Sequence, residues 1–163
     1  MASLIHRAGG SLAVKALPAL YGAGLILLIV RTIPLGDFGR YGMAIAYVNL
    51  ISALSRGLWA GPLVIHAARG ERDQILGPAF WFSALTAVAG AVIGLVVLPL
   101  LGVGFELSLI AAVMLLVLVP RDMALALAQA ASRVWDAFLI EAGYFVGSLT
   151  GFVYIAMNSE MAT

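Results

Sequence analysis

Residues 43–65, MAIAYVNLISALSRGLWAGPLVI, decide the fold of this chain. The stretch is long enough to cross the hydrocarbon core of a bilayer, which takes about 20 mostly apolar residues. Its one charged residue is Arg56, near the middle. An arginine at that depth costs about 2.5–3.5 kcal/mol on insertion scales, so such residues usually face a water-filled cavity or a partner. The stretch therefore predicts a transmembrane helix with a polar face, which points to transport.

The composition of the whole chain is that of a membrane protein. Of its 163 residues, 63% are hydrophobic and only 10% are charged, and the mean hydropathy is +1.08. A soluble domain carries about 25% charged residues, so this chain could not cover a water-facing surface. The net charge of +1 makes nucleic acid an unexpected partner.

The sequence carries no motif of a known type of catalytic site. Cysteine is absent, which excludes disulfides and thiolate metal sites, and His6 and His66 lie far apart. There is no P-loop, no G-x-S-x-G and no H-E-x-x-H. We therefore expect neither an enzyme nor a bound metal or cofactor.

Apolar runs predict an all-α membrane protein, a bundle of about five transmembrane helices in a single domain over residues 1–163. The runs are too uniformly apolar for barrel strands, and helices satisfy their own backbone polar groups in lipid. The first run imitates a secretory signal but lacks a cleavage site, so it is predicted to stay as a helix. The predicted spans are residues 11–33, 42–65, 76–101, 107–130 and 138–157.

The connections between these spans are short and set the predicted orientation. They fall at residues 35–41, 67–74, 102–106 and 131–137, and the first has a turn-like composition rich in glycine. An N-terminus in the cytoplasm places five basic residues on the inner side and two, Arg31 and Arg40, on the outer side. The five are Arg7, Lys15, Arg69, Arg72 and Arg133. We expect a multi-pass protein of the cytoplasmic membrane.

Polar residues on the second span share one helix face. Asn49, Ser52 and Arg56 lie three and four residues apart, and Trp59 continues the stripe. One interpretation is a stripe that lines a substrate cavity. The other is a scatter of polar residues used for contacts between helices.

The fourth span carries a second, longer stripe. Gln129, Arg133 and Asp136 lie within about 40° of Asp122 on an ideal helix. The alternative is a helix that ends soon after Pro120, with these residues in a loop. Residues 107–119 alone are too short to span, so we predict a continuous helix with a proline kink.

Two deep arginines and one carboxylate suggest the chemistry of the interior. Arg121 points about 100° away from Asp122, so the two are not expected to form a simple ion pair. We hypothesise that Arg56 and Arg121 make a cavity cationic and that Asp122 balances the charge. The alternative is an Arg56–Asp122 pair that locks two helices together.

Glycines on two spans predict helix-packing faces. Small residues at intervals of four let helices approach closely in lipid. They occur on the third span as Gly90 and Gly94 and on the fifth as Gly143, Gly147 and Gly151.

Three segments resemble polysaccharide flippases of the Wzx type, in the multidrug/oligosaccharidyl-lipid/polysaccharide exporter superfamily. Residues 31–42, RTIPLGDFGRYG, are similar to the arginine, the Leu-Gly-Pro-Glu-Asp-Phe-Gly-like turn and the small-residue helix of that family. Residues 69–73, RGERD, precede an alanine- and leucine-rich span. Pro120 and Arg121 then run into residues 128–133, AQAASR.

This resemblance implies a fold of two lobes, each of six or seven helices, around a central cavity. It implies export of a lipid-linked oligosaccharide across the cytoplasmic membrane by alternating access, with the polyprenyl-pyrophosphate carrier as the anionic group. Arg56 and Arg121 are then the expected cavity arginines, by their depth and helix face. Five spans match most of one lobe, so we expect an N-terminal portion that needs a second lobe or subunit.

Two other functional classes stay open from the sequence. One is a drug or cation antiporter of the same superfamily, which needs a carboxylate as its coupling site. Asp122 and Glu141 are the candidates within the spans. The other is a membrane scaffold that transports nothing, for which the glycine faces suffice.

Overall fold

The structure is a computed structural model that describes residues 35–131 and 133–159, together with Ala16 and Gly22. All of the elements it describes are helical, as the sequence predicts. They are α1 (Leu35–Ser55), a π-helical turn (Arg56–Ala60), α2 (Gly61–Ala68), α3 (Arg72–Leu100), α4 (Phe105–Ala130) and α5 (Val134–Ser159). The chain divides into two compact units, and Leu28–Ser132, with α1 to α4, is one of them. The other combines Met1–Leu27 with Arg133–Thr163 and contains α5.

Three helices of the described chain are long and apolar enough to cross a membrane. They are Asp37–Ala67, which comprises α1, the π turn and α2, then Asp73–Leu100 and Phe105–Ala130. Large apolar side chains stay exposed along them, including Leu50, Trp81, Leu85, Val92, Leu109 and Val117. Such a surface is suited to lipid, and the chain is therefore a multi-pass membrane protein. Of the other two predicted spans, residues 11–33 lie outside the described residues except Ala16 and Gly22, and residues 138–157 fall within α5.

The predicted turn at residues 35–41 is wrong, because α1 begins at Leu35. Its glycines suggested a loop, yet the segment supplies the first turns of the helix. Asp37 lies in the first turn, where a carboxylate interacts favourably with the helix dipole. Arg40 reaches back to it, with 3.3 Å between Arg40 Nη1 and Asp37 Oδ1. This i,i+3 pair compensates in part for the low helix propensity of glycine.

The turns on either side of α3 are built in the same way. Gly70 and Gly102 both have φ of 82°, the left-handed conformation that glycine adopts without steric cost. After α2, Glu71 N–H donates to His66 O and Gly70 N–H donates to Ala67 O. After α3, Val103 N–H donates to Leu98 O and Gly102 N–H donates to Pro99 O. These are Schellman motifs, which satisfy the last carbonyls of a helix and reverse the chain sharply.

The contact between α1 and α3 is close because α3 presents glycine. A Cβ atom placed on Gly94 would lie 2.7 Å from Cε1 of Tyr47, and one on Gly90 would lie 2.7 Å from Cγ2 of Ile51. Tyr47 also donates a hydrogen bond of 2.6 Å from its hydroxyl to Gly90 O. The glycine face predicted on the third span thus lies against α1. In the described part of the chain, no atom lies within 4 Å of such a Cβ on Gly143 or Gly147, and the surroundings of Gly151 fall outside it.

Two apolar clusters hold α1 to α4 together, one in each half of the bundle. The first cluster consists of Ala44, Val48, Leu98, Val103, Ala111 and Leu115. The second cluster consists of Leu63, Ala79 and Met123. α1 runs antiparallel to α3 and parallel to α4, so residues 52–56, at the end of α1 and the start of the π turn, lie between the two clusters. The polar residues of the membrane interior lie at this level.

Candidate functional site

Pro62 explains why the helix changes to π geometry at Arg56. Proline has no N–H, and its ring clashes with the carbonyl four residues earlier, here that of Leu58. The chain responds with one wider turn, Arg56–Ala60, in which Gly61 N–H donates to Arg56 O, five residues back. Pro62 itself then becomes a first-turn residue of α2, where a missing N–H costs nothing. Single π turns inside α-helices are frequent at functional sites.

The π turn begins with Arg56, whose side chain meets the carboxylate of Asp122 on α4. Arg56 Nε lies 3.6 Å from Asp122 Oδ2, and Arg121 Nη1 lies 3.6 Å from Asp122 Oδ1. The Asp122 side chain is 7% exposed and that of Arg121 is 16% exposed, whereas that of Arg56 is 56% exposed. One buried carboxylate therefore lies between a partly buried arginine and a half-exposed one.

The half-exposed side of this cluster is the Arg56 guanidinium, which faces outward at mid-depth. Asp122 offsets part of the cost of holding Arg56 in the membrane, because an opposite charge about 4 Å away attracts strongly where water is scarce. The exposed part of the Arg56 guanidinium keeps donors available, and a planar guanidinium suits carboxylate and phosphate.

Serine hydroxyls complete the polar layer beside the ion pair. Ser55 and Ser83 are both buried and their Oγ atoms lie 3.2 Å apart, which joins α1 to α3. Ser52 is buried as well, and among the described residues its Oγ has no hydrogen-bond partner. A buried hydroxyl without a partner costs about 1–3 kcal/mol, which marks this layer as polar and imperfectly packed.

Trp59, inside the π turn, fastens the turn to α3. Its ring stacks on Phe82 at 4.9 Å between centroids, with 14° between the planes. Its Nε1 donates to Thr86 Oγ1 at 3.0 Å, and the Thr86 hydroxyl donates to Phe82 O. The indole therefore fixes the side of the turn that faces α3.

The structure brings together only some of the residues predicted to line a cavity. Ser52 lies inside the bundle while Asn49 and Arg56 lie exposed, so the stripe on α1 is divided between two environments. On α4, Asp122 is buried and Gln129 is exposed. Arg56, Arg121 and Asp122 form the one cluster that the structure assembles from the predicted set.

Two details of the predicted stripe on the fourth span are wrong. α4 does continue through Pro120, but it ends at Ala130, so Arg133 and Asp136 do not share its face. Those two residues pair with each other at the start of the next helix, with 2.7 Å between Arg133 Nε and Asp136 Oδ2. Arg121 does approach Asp122, because a long arginine side chain spans the angle between adjacent positions.

Several residues of the polar layer were not predicted from the sequence. Ser55, Ser83 and Thr86 are polar positions whose partners lie on another helix, and no local pattern identifies such partners. Pro62 was a usable signal, since proline inside an apolar span predicts an interrupted hydrogen-bond ladder. α5 carries the remaining acidic candidate, Glu141, which is buried.

Replacing Trp59 with phenylalanine is expected to destabilise the bundle by about 0.5–1.5 kcal/mol, because the stack on Phe82 stays and the hydrogen bond to Thr86 is lost. Thr86→Val should cost a similar amount, and the double variant little more than either single one. Unfolding of the purified protein in mixed micelles measures all three. Fully additive losses would contradict a direct Trp59–Thr86 bond.

In the comparisons with known proteins, no protein-family model, no curated protein and no solved structure matches this chain. Within the described residues, no group of three or more histidine or acidic side chains could hold a metal ion. The arrangement of Arg56, Arg121 and Asp122 is therefore the basis for an assignment of function.

Proposed function

We propose that this chain is part of a membrane transporter for an anionic, lipid-linked saccharide, of the polysaccharide flippase type. The observation that carries the proposal is Arg56, a half-exposed guanidinium near the middle of a membrane-crossing helix. A charge at that depth marks substrate or ion pathways in membrane proteins. The resemblance of residues 31–42, 69–73 and 120–133 to Wzx-type flippases adds the substrate class, a polyprenyl-pyrophosphate-linked oligosaccharide.

The arrangement of Arg56 and Asp122 in the cluster is compatible with an anionic substrate. Asp122 is buried and pairs with Arg56 through one of its oxygens, while the Arg56 side chain stays half-exposed. A phosphate that reached Arg56 would meet exposed guanidinium donors, and charge-assisted hydrogen bonds of this kind are strong. The proposal includes the five-span bundle and a second lobe or subunit that closes the other side of the cavity.

Arg56→Ala is expected to reduce transport about 10- to 100-fold, because a hydrogen bond to a charged group contributes about 1.5–3 kcal/mol. The measurement is cell-surface polysaccharide in a deletion strain that expresses the variant, with membrane abundance assayed in parallel. Arg40→Ala is the matched control, since it also removes an exposed arginine paired with an aspartate, at the end of α1.

Three outcomes of this experiment are informative. Loss with Arg56→Ala and full function with Arg40→Ala, at equal abundance, supports the proposal. Full function with Arg56→Ala refutes a role for this residue in transport. No polysaccharide phenotype on deletion of the gene refutes the flippase assignment itself.

A cation-coupled antiporter is the second candidate, favoured by the buried carboxyl groups of Asp122 and Glu141. Such groups act in proton relays in pumps and transporters. The two candidates differ in the driving force for transport. The antiporter would be favoured if uptake into vesicles depended on an imposed proton gradient and were lost in Glu141→Gln.

A further inference from the structure

The helix Asp37–Ala67, here called the rod, is least constrained at the level of Ser52, Ser55 and Arg56, which belong to the polar layer described above. Toward its N-terminus, Val48 packs in the first apolar cluster. Toward its C-terminus, Leu63 packs in the second. Between them Ile51 and Trp59 pack against the edges of these clusters, and the polar contacts are one serine pair, the Trp59–Thr86 hydrogen bond and the Arg56–Asp122 ion pair. Polar contacts of this kind can be exchanged for others, whereas apolar clusters resist deformation.

The backbone at this level lacks a hydrogen bond that a regular helix has. Gly61 donates to Arg56 O, and Pro62 has no N–H to donate. The carbonyl of Gly57 would need Gly61 as its α-helical donor or Pro62 as its π-helical donor, so it receives neither bond. A carbonyl without its helical donor is tolerated in a membrane where the backbone is buried in protein or lines a polar cavity.

Nothing in the described part of the chain packs against the outer side of the turn. A Cβ on Gly57 would meet no atom within 4 Å, and one on Gly61 would meet only Arg56 O. The two glycines also lower the cost of a change in backbone angles. The turn is therefore fastened on one side only, by Trp59 against α3 and by Arg56 against α4.

We propose that the π turn Arg56–Ala60 is a hinge at which α2 opens relative to α1, and that the Arg56–Asp122 ion pair is the latch that keeps it closed. The inference concerns movement of the helix and does not depend on what the protein carries. A hinge of this kind needs a few residues that absorb the change in φ and ψ, and the turn supplies them. Release of the latch would also turn the Arg56 guanidinium away from Asp122.

Hydrogen exchange of the full-length protein in lipid nanodiscs tests the hinge. Amides of residues 57–61 are expected to exchange faster than those of residues 85–90, a regular segment of α3. Pro62→Ala restores the missing N–H and is expected to slow exchange at the turn about fivefold, which is the worth of one hydrogen bond. Gly57→Ala, whose methyl group has open space, should act in the same direction.

The latch has its own test in the same experiment. Asp122→Asn is expected to accelerate exchange at residues 57–61 and to leave residues 85–90 unchanged, whereas general loss of stability would accelerate both. The hinge proposal would be overturned if exchange at the turn were as slow as in α3 and were unaffected by Pro62→Ala and Gly57→Ala. A turn that opens in the wild type but does not respond to Asp122→Asn would overturn the latch.

Discussion

Asp122→Ala is expected to lower the free energy of unfolding by about 3–5 kcal/mol, because removing one partner of a buried ion pair leaves an uncompensated charge. Here the substitution takes the paired carboxylate away from Arg56 and Arg121. Unfolding of the purified protein in mixed micelles measures the loss. Asp37→Ala is the control, since it breaks an exposed pair with Arg40 and should cost less than about 1 kcal/mol.

A double substitution separates the two roles that Arg56 can have. Arg56→Met/Asp122→Ala should recover part of the stability lost in Asp122→Ala, because the arginine that lost its carboxylate is also gone. If Arg56 binds cargo, transport stays lost while stability returns. Transport that returns together with stability would instead show that the Arg56–Asp122 pair only locks α1 to α4. Equal losses from Asp37→Ala and Asp122→Ala would contradict the buried pair itself.

Gly94→Ala is expected to destabilise the bundle by about 1–3 kcal/mol, the usual cost of overpacking. The new methyl group would lie 2.7 Å from the ring of Tyr47. That ring cannot simply rotate away, because its hydroxyl is bonded to Gly90 O. Either α1 and α3 separate or the hydrogen bond breaks. Thermal unfolding in detergent, followed by helical circular dichroism, provides the measurement.

Gly42→Ala is the matched control, and its effect should have the opposite sign. Gly42 lies inside α1, the helix that packs against Gly94, and a Cβ there would meet no described atom within 4 Å. Alanine is favoured over glycine in a helix by about 1 kcal/mol, so this variant should be as stable as the parent or more so. Tyr47→Ala in the Gly94→Ala background should relieve the clash. Destabilisation of equal size at both glycines would contradict close packing at Gly94.

Apolar run length and periodicity predicted most of the helices but misplaced several of their ends. The second, third and fourth predicted spans each lie within a helix or extend one residue beyond it. The predicted turn at residues 35–41 failed because a glycine-rich composition does not exclude a helix whose first turn carries Asp37 and the Asp37–Arg40 pair. The stripe that ran from Asp122 to Asp136 failed because the chain leaves the helix after Ala130.

The site was harder to predict than the helices, for a physical reason. Periodicity assigns a residue to a face of its own helix, but it does not give the register between helices. The pairing of Arg56 with Asp122 was accordingly one of two alternatives, and the Ser55–Ser83 and Trp59–Thr86 contacts could not be foreseen. The π turn depends on the single backbone N–H that Pro62 lacks. One missing N–H does not change the mean hydropathy of a span, from which the helices were predicted.

The parallel arrangement of α1 and α4 has a consequence for biosynthesis. The ribosome makes Arg56 before Asp122, with the whole of α3 synthesised in between. At about 5–20 residues per second, the arginine waits several seconds for its counter-ion. The translocon must therefore either release the helix that carries Arg56 into lipid, at the free-energy cost of an unpaired arginine, or retain that helix until α4 emerges. Ribosome-arrested chains that end before and after Asp122 would differ in how firmly this helix is held.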